Sequence, residues 1–172
     1  EYNFVKKEFF TITTSEGVEL NAWMMKPAEV EKGKKLPVLM YVYGGPGSQT
    51  VENSWGYSNY IWFQMLVQQG FVVVSVDNRG TGGRGEEFKK CTSLQLGNLE
   101  TLDQIESAKY LGGLEFIDKE KIGIFGWSYG GYISSLCLTR GADVFNTGIA
   151  VAPVTNWRYY DNIYTERFMR TP

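Results

Sequence analysis

A ten-residue stretch from Ile122 to Gly131 places the strongest constraint on how this chain can fold. It begins with Ile-Gly-Ile-Phe, a short apolar run that is typical of a buried β-strand. The G-x-S-x-G sequence Gly126-Trp-Ser-Tyr-Gly130 follows, and a helix-like segment comes directly after it. This order predicts a sharp strand-to-helix turn, in which the two glycines leave room for a strained backbone at Ser128. The hydroxyl of Ser128 is then held clear of the sheet edge, which makes it a candidate nucleophile.

The composition limits the kind of protein that can contain this turn. The 172 residues are 43% hydrophobic, which is enough for the core of one domain, and the net charge is −2. The 17 basic residues are dispersed along the chain, so we expect neither nucleic acid nor an anionic membrane surface as a partner. The two cysteines form neither a C-x-x-C motif nor a disulfide framework, and no apolar run approaches the length of a membrane span.

The sequence contains no histidine. This argues against an ordinary zinc-hydrolase site, and we expect no metal ion or cofactor. The same absence bears on Ser128, because a serine hydroxyl attacks a carbonyl carbon only when a positioned base removes its proton.

The rest of the chain predicts an N-terminal hairpin followed by alternating strands and helices. Strands at residues 6–13 and 18–25 flank a Ser-Glu-Gly turn and form the hairpin. Further strands are predicted at residues 37–43, 71–76, 122–125 and 148–152. Helices are predicted at residues 59–69, 99–111, 131–140 and, with weaker periodicity, 157–172. This order predicts an α/β fold, a mainly parallel sheet with helices on its faces.

Two of the predicted helices also have a predicted buried side. In the helix at 59–69 this side contains Ile61, Met65 and Leu66. In the helix at 99–111, Thr101 and Gln104 predict a capping box at the start, and an apolar stripe recurs about once per turn. The stripe consists of Leu99, Leu102, Ile105, Ala108 and Leu111.

Polar chemistry is expected where the parallel strands end, because binding sites in such sheets collect at the carboxyl ends of the strands. Three loops follow predicted strands there and begin at Tyr43, Asp77 and Gly126. A tetrahedral intermediate on Ser128 needs two hydrogen-bond donors, and the amide of Tyr129 is the first candidate. The hydroxyl of Tyr43 is the second, although without the elbow Tyr43 is better explained as a strand-end aromatic residue with its hydroxyl in water. Asp77 lies before the serine, whereas the acid of a catalytic triad follows the serine in folds with this kind of elbow. We therefore expect Asp77 to cap the turn or pair with Arg79.

These motifs together resemble the prolyl oligopeptidase family of serine peptidases, most closely its dipeptidyl peptidase IV branch. The likeness extends from about residue 9 to the end and is carried by four stretches. They are Val42-Tyr-Gly-Gly-Pro46, Asp77-Asn-Arg-Gly80, Gly126-Trp-Ser-Tyr-Gly-Gly131 and Tyr159-Tyr-Asp-Asn-Ile-Tyr-Thr-Glu-Arg167. The tryptophan within the elbow, joined to the tyrosine-rich run, makes the resemblance far more specific than G-x-S-x-G alone.

The resemblance implies an α/β-hydrolase domain of an exopeptidase that releases N-terminal dipeptides with proline or alanine in second position. It implies that Ser128 is the nucleophile and that the Tyr43 hydroxyl and the Tyr129 amide form the oxyanion hole. It further implies that a proline ring is held by the Tyr129 ring and by Tyr160, Tyr164, Val154 and Trp157. The alternative for residues 159–164 is an ordinary amphipathic helix with a tyrosine face.

The resemblance also implies parts that this chain lacks. An N-terminal β-propeller, the triad aspartate and histidine, and the last strands of the sheet are expected outside residues 1–172, so we expect a partial domain that is inactive alone. The strand at 148–152 would then be an exposed edge through which the segment self-associates. The parent is expected to be an extracytoplasmic homodimer. The alternatives are a tripeptidyl peptidase, an acylaminoacyl peptidase or carboxylesterase, and a non-catalytic interaction module.

Overall fold

A six-stranded sheet organises the fold, in a computed structural model that describes residues 3–170. The strands are β1 (Glu8–Thr13), β2 (Glu19–Met25), β3 (Leu36–Tyr41), β4 (Val72–Asp77), β5 (Ile117–Trp127) and β6 (Thr147–Val151). The helices are α1 (Tyr57–Gln68), α2 (Glu86–Lys90), α3 (Asn98–Gly112), α4 (Tyr129–Arg140) and α5 (Asn162–Met169), with a 3₁₀ turn at Trp157–Tyr159 before α5.

The strand pairing is mixed but mostly parallel. β1 and β2 form the predicted antiparallel hairpin, and β2 pairs antiparallel with β4. The remaining pairs, β4 with β3, β3 with β5 and β5 with β6, are all parallel. The strand order is therefore β1-β2-β4-β3-β5-β6, and the predicted α/β fold with a mainly parallel sheet is confirmed.

Helices cover the sheet on both faces, as the side chains of β4 show. All six residues of β4 are buried, and successive side chains point to opposite faces. Val72 and Val74 belong to the larger core cluster, which includes residues of α3 and α4. Val73 belongs to the smaller cluster on the other face, with Phe63 and Val67 of α1. This double burial explains why four of the six residues of β4 are valines.

The predicted buried side of α1 is wrong for two of its three residues, since Leu66 packs against the smaller core cluster but Ile61 and Met65 do not. Ile61 and Met65 are 47% and 46% exposed, whereas Phe63 and Val67 are buried. The segment is apolar on several sides, so its periodicity does not select one face. The face that packs is the one with Phe63, whose ring lies 5.6 Å from that of Trp23 on β2.

The predicted apolar stripe of α3 is also wrong in part. Ile105, Ala108 and Leu111 are buried, but Leu102 is 44% exposed. Much of the buried face is polar, and it consists of Glu100, Thr101, Asp103, Gln104 and Ser107.

The predicted capping box of α3 is wrong as well. The helix begins after Gly97, whose amide donates a hydrogen bond to the Glu100 carboxylate. Thr101 donates to the Gly97 carbonyl oxygen, and Gln104 lies inside the protein.

The strand β6 lies at one edge of the sheet. The sequence run predicted a buried strand, but its residues are exposed or half-buried, and Ile149 is 51% exposed. β6 is the last strand in the order, which explains this exposure. Within residues 3–170 it pairs with β5 along one edge, and no strand lies along its other edge. Separately, none of the helices within residues 3–170 has the length and apolar character needed to cross a membrane.

Candidate active site

The turn between β5 and α4 places Ser128 in a strained backbone conformation. Its φ is 57° and its ψ is −113°, in a region that residues with side chains rarely adopt. Two backbone hydrogen bonds hold it there: the Ser128 amide donates to the Val151 carbonyl at 2.9 Å, and the Ser128 carbonyl accepts from the Tyr132 amide at 3.0 Å. The predicted sharp turn is thus present, with the serine between a strand and a helix.

The two glycines of the turn are required by close backbone contacts. A Cβ atom on Gly126 would lie 2.3 Å from the carbonyl carbon of Gly130 and 2.6 Å from the carbonyl oxygen of Val42. A Cβ atom on Gly130 would lie 2.1 Å from that same Val42 oxygen. The elbow therefore packs directly against the end of β3, where the chain continues into Tyr43.

Tyr43 and Tyr129 lie side by side above the ends of β3 and β5. Their ring centroids are 6.2 Å apart, and the rings are tilted by 35°. Burial, together with the neighbouring Tyr160, raises the pKa of Tyr43 above its ordinary value. The phenol therefore keeps its proton at neutral pH, which is the state in which it donates a hydrogen bond.

The predicted pocket residues surround the serine. Tyr43, Ser128, Tyr129, Val154, Trp157, Tyr160 and Tyr164 line one cavity of about 20 Å³. This is room for about one water molecule. Every residue that the sequence predicted for the nucleophile, the oxyanion donors and the proline pocket lies at this one place.

The aromatic walls of this cavity contact one another. Trp157 stacks on Tyr164 with centroids 5.8 Å apart and an interplanar angle of 8°. Tyr160 meets Trp157 edge-on at 5.6 Å and Tyr164 edge-on at 5.5 Å. Burial raises the pKa of Tyr164 to about 12, and the nearby Tyr43 contributes to that shift. The phenol of Tyr164 is thus uncharged at neutral pH.

The family model of the prolyl oligopeptidase family matches residues 57–172. The chain belongs to the prolyl oligopeptidase family. Its α/β-hydrolase-like fold agrees with that of a solved relative, the dipeptidyl peptidase 4 of Porphyromonas gingivalis. The two are 50% identical with a TM-score of 0.94, over 99% of this chain and 24% of that one.

Curated relatives in the same family cover nearly the whole chain. A Trichophyton verrucosum protein named "probable dipeptidyl-aminopeptidase B" is 44% identical over 100% of this chain and 19% of its own length. The human dipeptidyl peptidase 8 is 40% identical over 99% of this chain and 19% of its own length. The chain therefore spans about a fifth of the curated relatives that it matches.

The three loops of this family domain meet at the carboxyl ends of the strands. The side-chain amide of Asn78, after β4, donates to the Gly44 carbonyl at 3.0 Å. The amide of Gly47 donates to the Gly80 carbonyl at 2.9 Å. Since the elbow contacts Val42, the loop after β3 lies between the other two.

Both expected roles of Asp77, capping the turn after β4 and pairing with Arg79, are wrong. The Asp77 carboxylate accepts hydrogen bonds from the amides of Thr50 and Val51 at 2.8 and 3.1 Å, and thus holds the loop after β3. The Arg79 guanidinium instead forms an ion pair with Asp103 of α3 at 2.7 Å. No local pattern indicates this partner, because Asp103 lies within the helix whose buried side was predicted to be apolar.

Glu100 is a second residue of the site that the sequence patterns did not single out. Its carboxylate accepts a hydrogen bond from the Tyr129 hydroxyl at 2.7 Å, beneath the cavity. A glutamate three residues after Gly97 is itself a signal for a helix start, and that signal could have drawn attention to it.

These residues together place the Ser128 hydroxyl at the cavity. Within residues 3–170, no side chain is hydrogen-bonded to the Ser128 hydroxyl, and the 172-residue sequence has no histidine. Ser128 is half-buried at the cavity, beside Tyr43 and Tyr129, the candidate donors to an oxyanion. This arrangement favours acyl transfer to a serine.

Proposed function

We propose that these residues supply the nucleophile and substrate pocket of a serine-type exopeptidase that releases N-terminal dipeptides. The observation that carries the proposal is the single cavity in which Ser128, at a strained elbow, lies beside Tyr43, Tyr129 and an aromatic pocket. The names of the relatives, dipeptidyl-aminopeptidase B and dipeptidyl peptidases 4 and 8, support release of dipeptides.

The reaction proceeds in two acyl transfers. The Ser128 oxygen attacks the carbonyl carbon of the second substrate residue while a base takes its proton. The amide of Tyr129 and the hydroxyl of Tyr43 donate to the oxyanion, the peptide C–N bond breaks, and the leaving amine takes that proton. Water then hydrolyses the acyl-enzyme. We propose that the base is a histidine oriented by an aspartate, both outside these residues, so that the 172-residue segment alone is inactive.

The pocket supports a preference for proline or alanine in second position. A proline ring is compact and rigid, and slots of aromatic side chains bury such rings well. Val154, Trp157, Tyr160 and Tyr164 form the walls. Since the cavity measures about 20 Å³, the walls must separate to admit the ring, and Tyr160, which is 37% exposed, has room to turn outward.

Hydrolysis of glycyl-prolyl-7-amino-4-methylcoumarin by the full-length protein tests the proposal. We expect turnover that Ser128→Ala abolishes, weaker turnover of the glycyl-alanyl substrate, and none by the 172-residue segment. Faster release of a tripeptide, or of simple esters over dipeptide amides, would replace the proposed activity with a tripeptidyl peptidase or an esterase. Turnover by the isolated segment would overturn the claim that its base lies elsewhere.

We also propose that the isolated segment self-associates through β6. An exposed strand edge pairs readily with another chain, and Ile149 adds apolar surface there. A concentration-independent monomer in size-exclusion chromatography would refute this. For the parent protein, the family resemblance alone supports an extracytoplasmic homodimer, which cell fractionation and light scattering test.

A further inference from the structure

Glu100 is a buried carboxylate in the first turn of α3. Its exposed fraction is 0%, and both of its oxygens accept hydrogen bonds. Oε2 accepts from the Gly97 amide at 3.0 Å, which caps the helix, and Oε1 accepts from the Tyr129 hydroxyl at 2.7 Å. Burying a carboxylate costs free energy that a cap at the protein surface would not incur. The second hydrogen bond indicates what the burial of Glu100 achieves, because it fixes the hydroxyl of Tyr129.

Tyr129 links this carboxylate to the candidate active site. Its amide is the candidate oxyanion donor next to Ser128, and its ring is almost fully buried, with 2% exposed. The ring lies between two other residues of the cavity, 6.2 Å from Tyr43 and 5.7 Å from Trp157. The hydrogen bond from the Tyr129 hydroxyl to Glu100 therefore fixes the ring against which Tyr43 and Trp157 pack.

A neighbouring residue of α3 makes a parallel connection to the loop after β3. Gln104 is also buried, and its Nε2 donates to Oδ1 of Asn78 at 3.0 Å. Asn78 in turn donates to the Gly44 carbonyl, next to Tyr43. Glu100 thus bonds the elbow directly, and Gln104 is connected to the loop of Tyr43 through Asn78.

We propose that Glu100 is a positioning residue for the peptidase reaction, acting through Tyr129. The hydrogen bond holds the Tyr129 ring so that the Tyr43 hydroxyl and the Trp157 wall keep their places around the substrate. Glu100 itself does not touch the substrate. This inference rests on the proposed function, because only turnover reveals a displaced oxyanion donor.

A double-variant cycle in the full-length protein tests this role. Glu100→Gln, Tyr129→Phe and the double variant are compared with the wild type on glycyl-prolyl and glycyl-alanyl coumarin amides. Tyr129→Phe removes the hydrogen bond, and we expect it to lower kcat/KM for the prolyl substrate about tenfold. Glu100→Gln only replaces the carboxylate by a neutral amide that can still bond the hydroxyl, so we expect a smaller loss of the same kind. The loss should appear mainly in kcat rather than in KM. The decrease in kcat/KM should be smaller for the alanyl substrate than for the prolyl substrate. The double variant should be no worse than the worse single variant.

Asp103→Asn is the matched control, since Asp103 is an equally buried carboxylate of α3 that bonds Arg79 instead of Tyr129. We expect it to lower the melting temperature and to act additively with Tyr129→Phe.

Two kinetic outcomes would overturn the proposal. If Glu100→Gln has the same effect in the wild type and in the Tyr129→Phe variant, Glu100 is only a helix cap. If Glu100→Gln does not fold, unchanged kinetics of Tyr129→Phe would exclude the positioning role equally. Absence of wild-type turnover would instead overturn the proposed function, and this role with it.

Discussion

Replacing Gly130 by alanine tests the contact on which the elbow depends. The added Cβ atom would lie 2.1 Å from the Val42 carbonyl oxygen and 3.0 Å from the Tyr43 Cα atom. Both neighbours are backbone, so neither gives way by changing a rotamer. Non-bonded carbon and oxygen atoms need at least about 3 Å, so α4 and the end of β3 must separate by about 1 Å.

The expected loss follows from what this separation moves. Gly130 follows Tyr129, and Val42 precedes Tyr43, so the shift pulls the two candidate oxyanion donors apart. A displacement of about 1 Å lowers catalysis roughly 100-fold. Overpacking costs about 1–3 kcal/mol of stability, which the better helix propensity of alanine offsets by up to about 1 kcal/mol. We therefore expect activity to fall far more than stability.

The assay is kcat/KM of the full-length protein on the glycyl-prolyl substrate, together with its melting temperature. Gly113→Ala is the matched control, because Gly113 has a φ of −80° and its added Cβ would meet nothing closer than 3.3 Å. It should behave as the wild type. Near-normal turnover of Gly130→Ala would refute the reasoning, since it would mean that the elbow does not press on β3.

Three further predictions concern the site and its support. Tyr43→Phe removes one candidate oxyanion donor and should lower kcat about 100-fold with little change in KM, and unchanged kcat in steady-state kinetics would exclude that role. The pKa of Tyr164 is raised to about 12, so its contribution to stability is complete below about pH 10 and is lost as the pH rises towards 12. Melting temperatures at pH 9 and 11 check this, because their drop between the two pH values should be smaller for Tyr164→Phe than for the wild type. An equal drop in the two proteins would contradict it. Arg79→Lys loses the forked contact with Asp103, and we expect about 1–3 kcal/mol of destabilisation by calorimetry. Lys26→Ala, which breaks an exposed pair with Glu8, is the control and should cost less than about 1 kcal/mol.

Much of the fold could be predicted because its strands have strong local patterns. The run at residues 71–76 is almost entirely apolar, which is typical of a strand buried on both faces. The elbow was predictable for a similar reason, since its glycines meet a backbone constraint that few other motifs share. The walls of the pocket were found through a family resemblance, because a tyrosine-rich helix alone does not indicate a binding slot.

Two of the errors concern helices whose buried sides are set by tertiary partners. In α1, several sides are apolar, and the packing of Phe63 against Trp23 decides the orientation. In α3, periodicity favours Leu102, but the buried face holds Glu100 and Asp103. Polar residues are buried there because their partners, Tyr129 and Arg79, arrive from other parts of the chain. A single sequence contains no pairing information of that kind.

The hydrogen bond from the Ser128 amide to Val151 has a consequence for the order of folding. A strained residue keeps its conformation only while its surroundings hold it. One of the groups that hold Ser128 lies in β6, a strand that the ribosome adds after α4 has been made. Gly131 depends on the same strand, since a Cβ atom there would lie 2.9 Å from the Val151 oxygen. During synthesis, we therefore expect the serine to reach this backbone conformation only after β6 has docked beside β5.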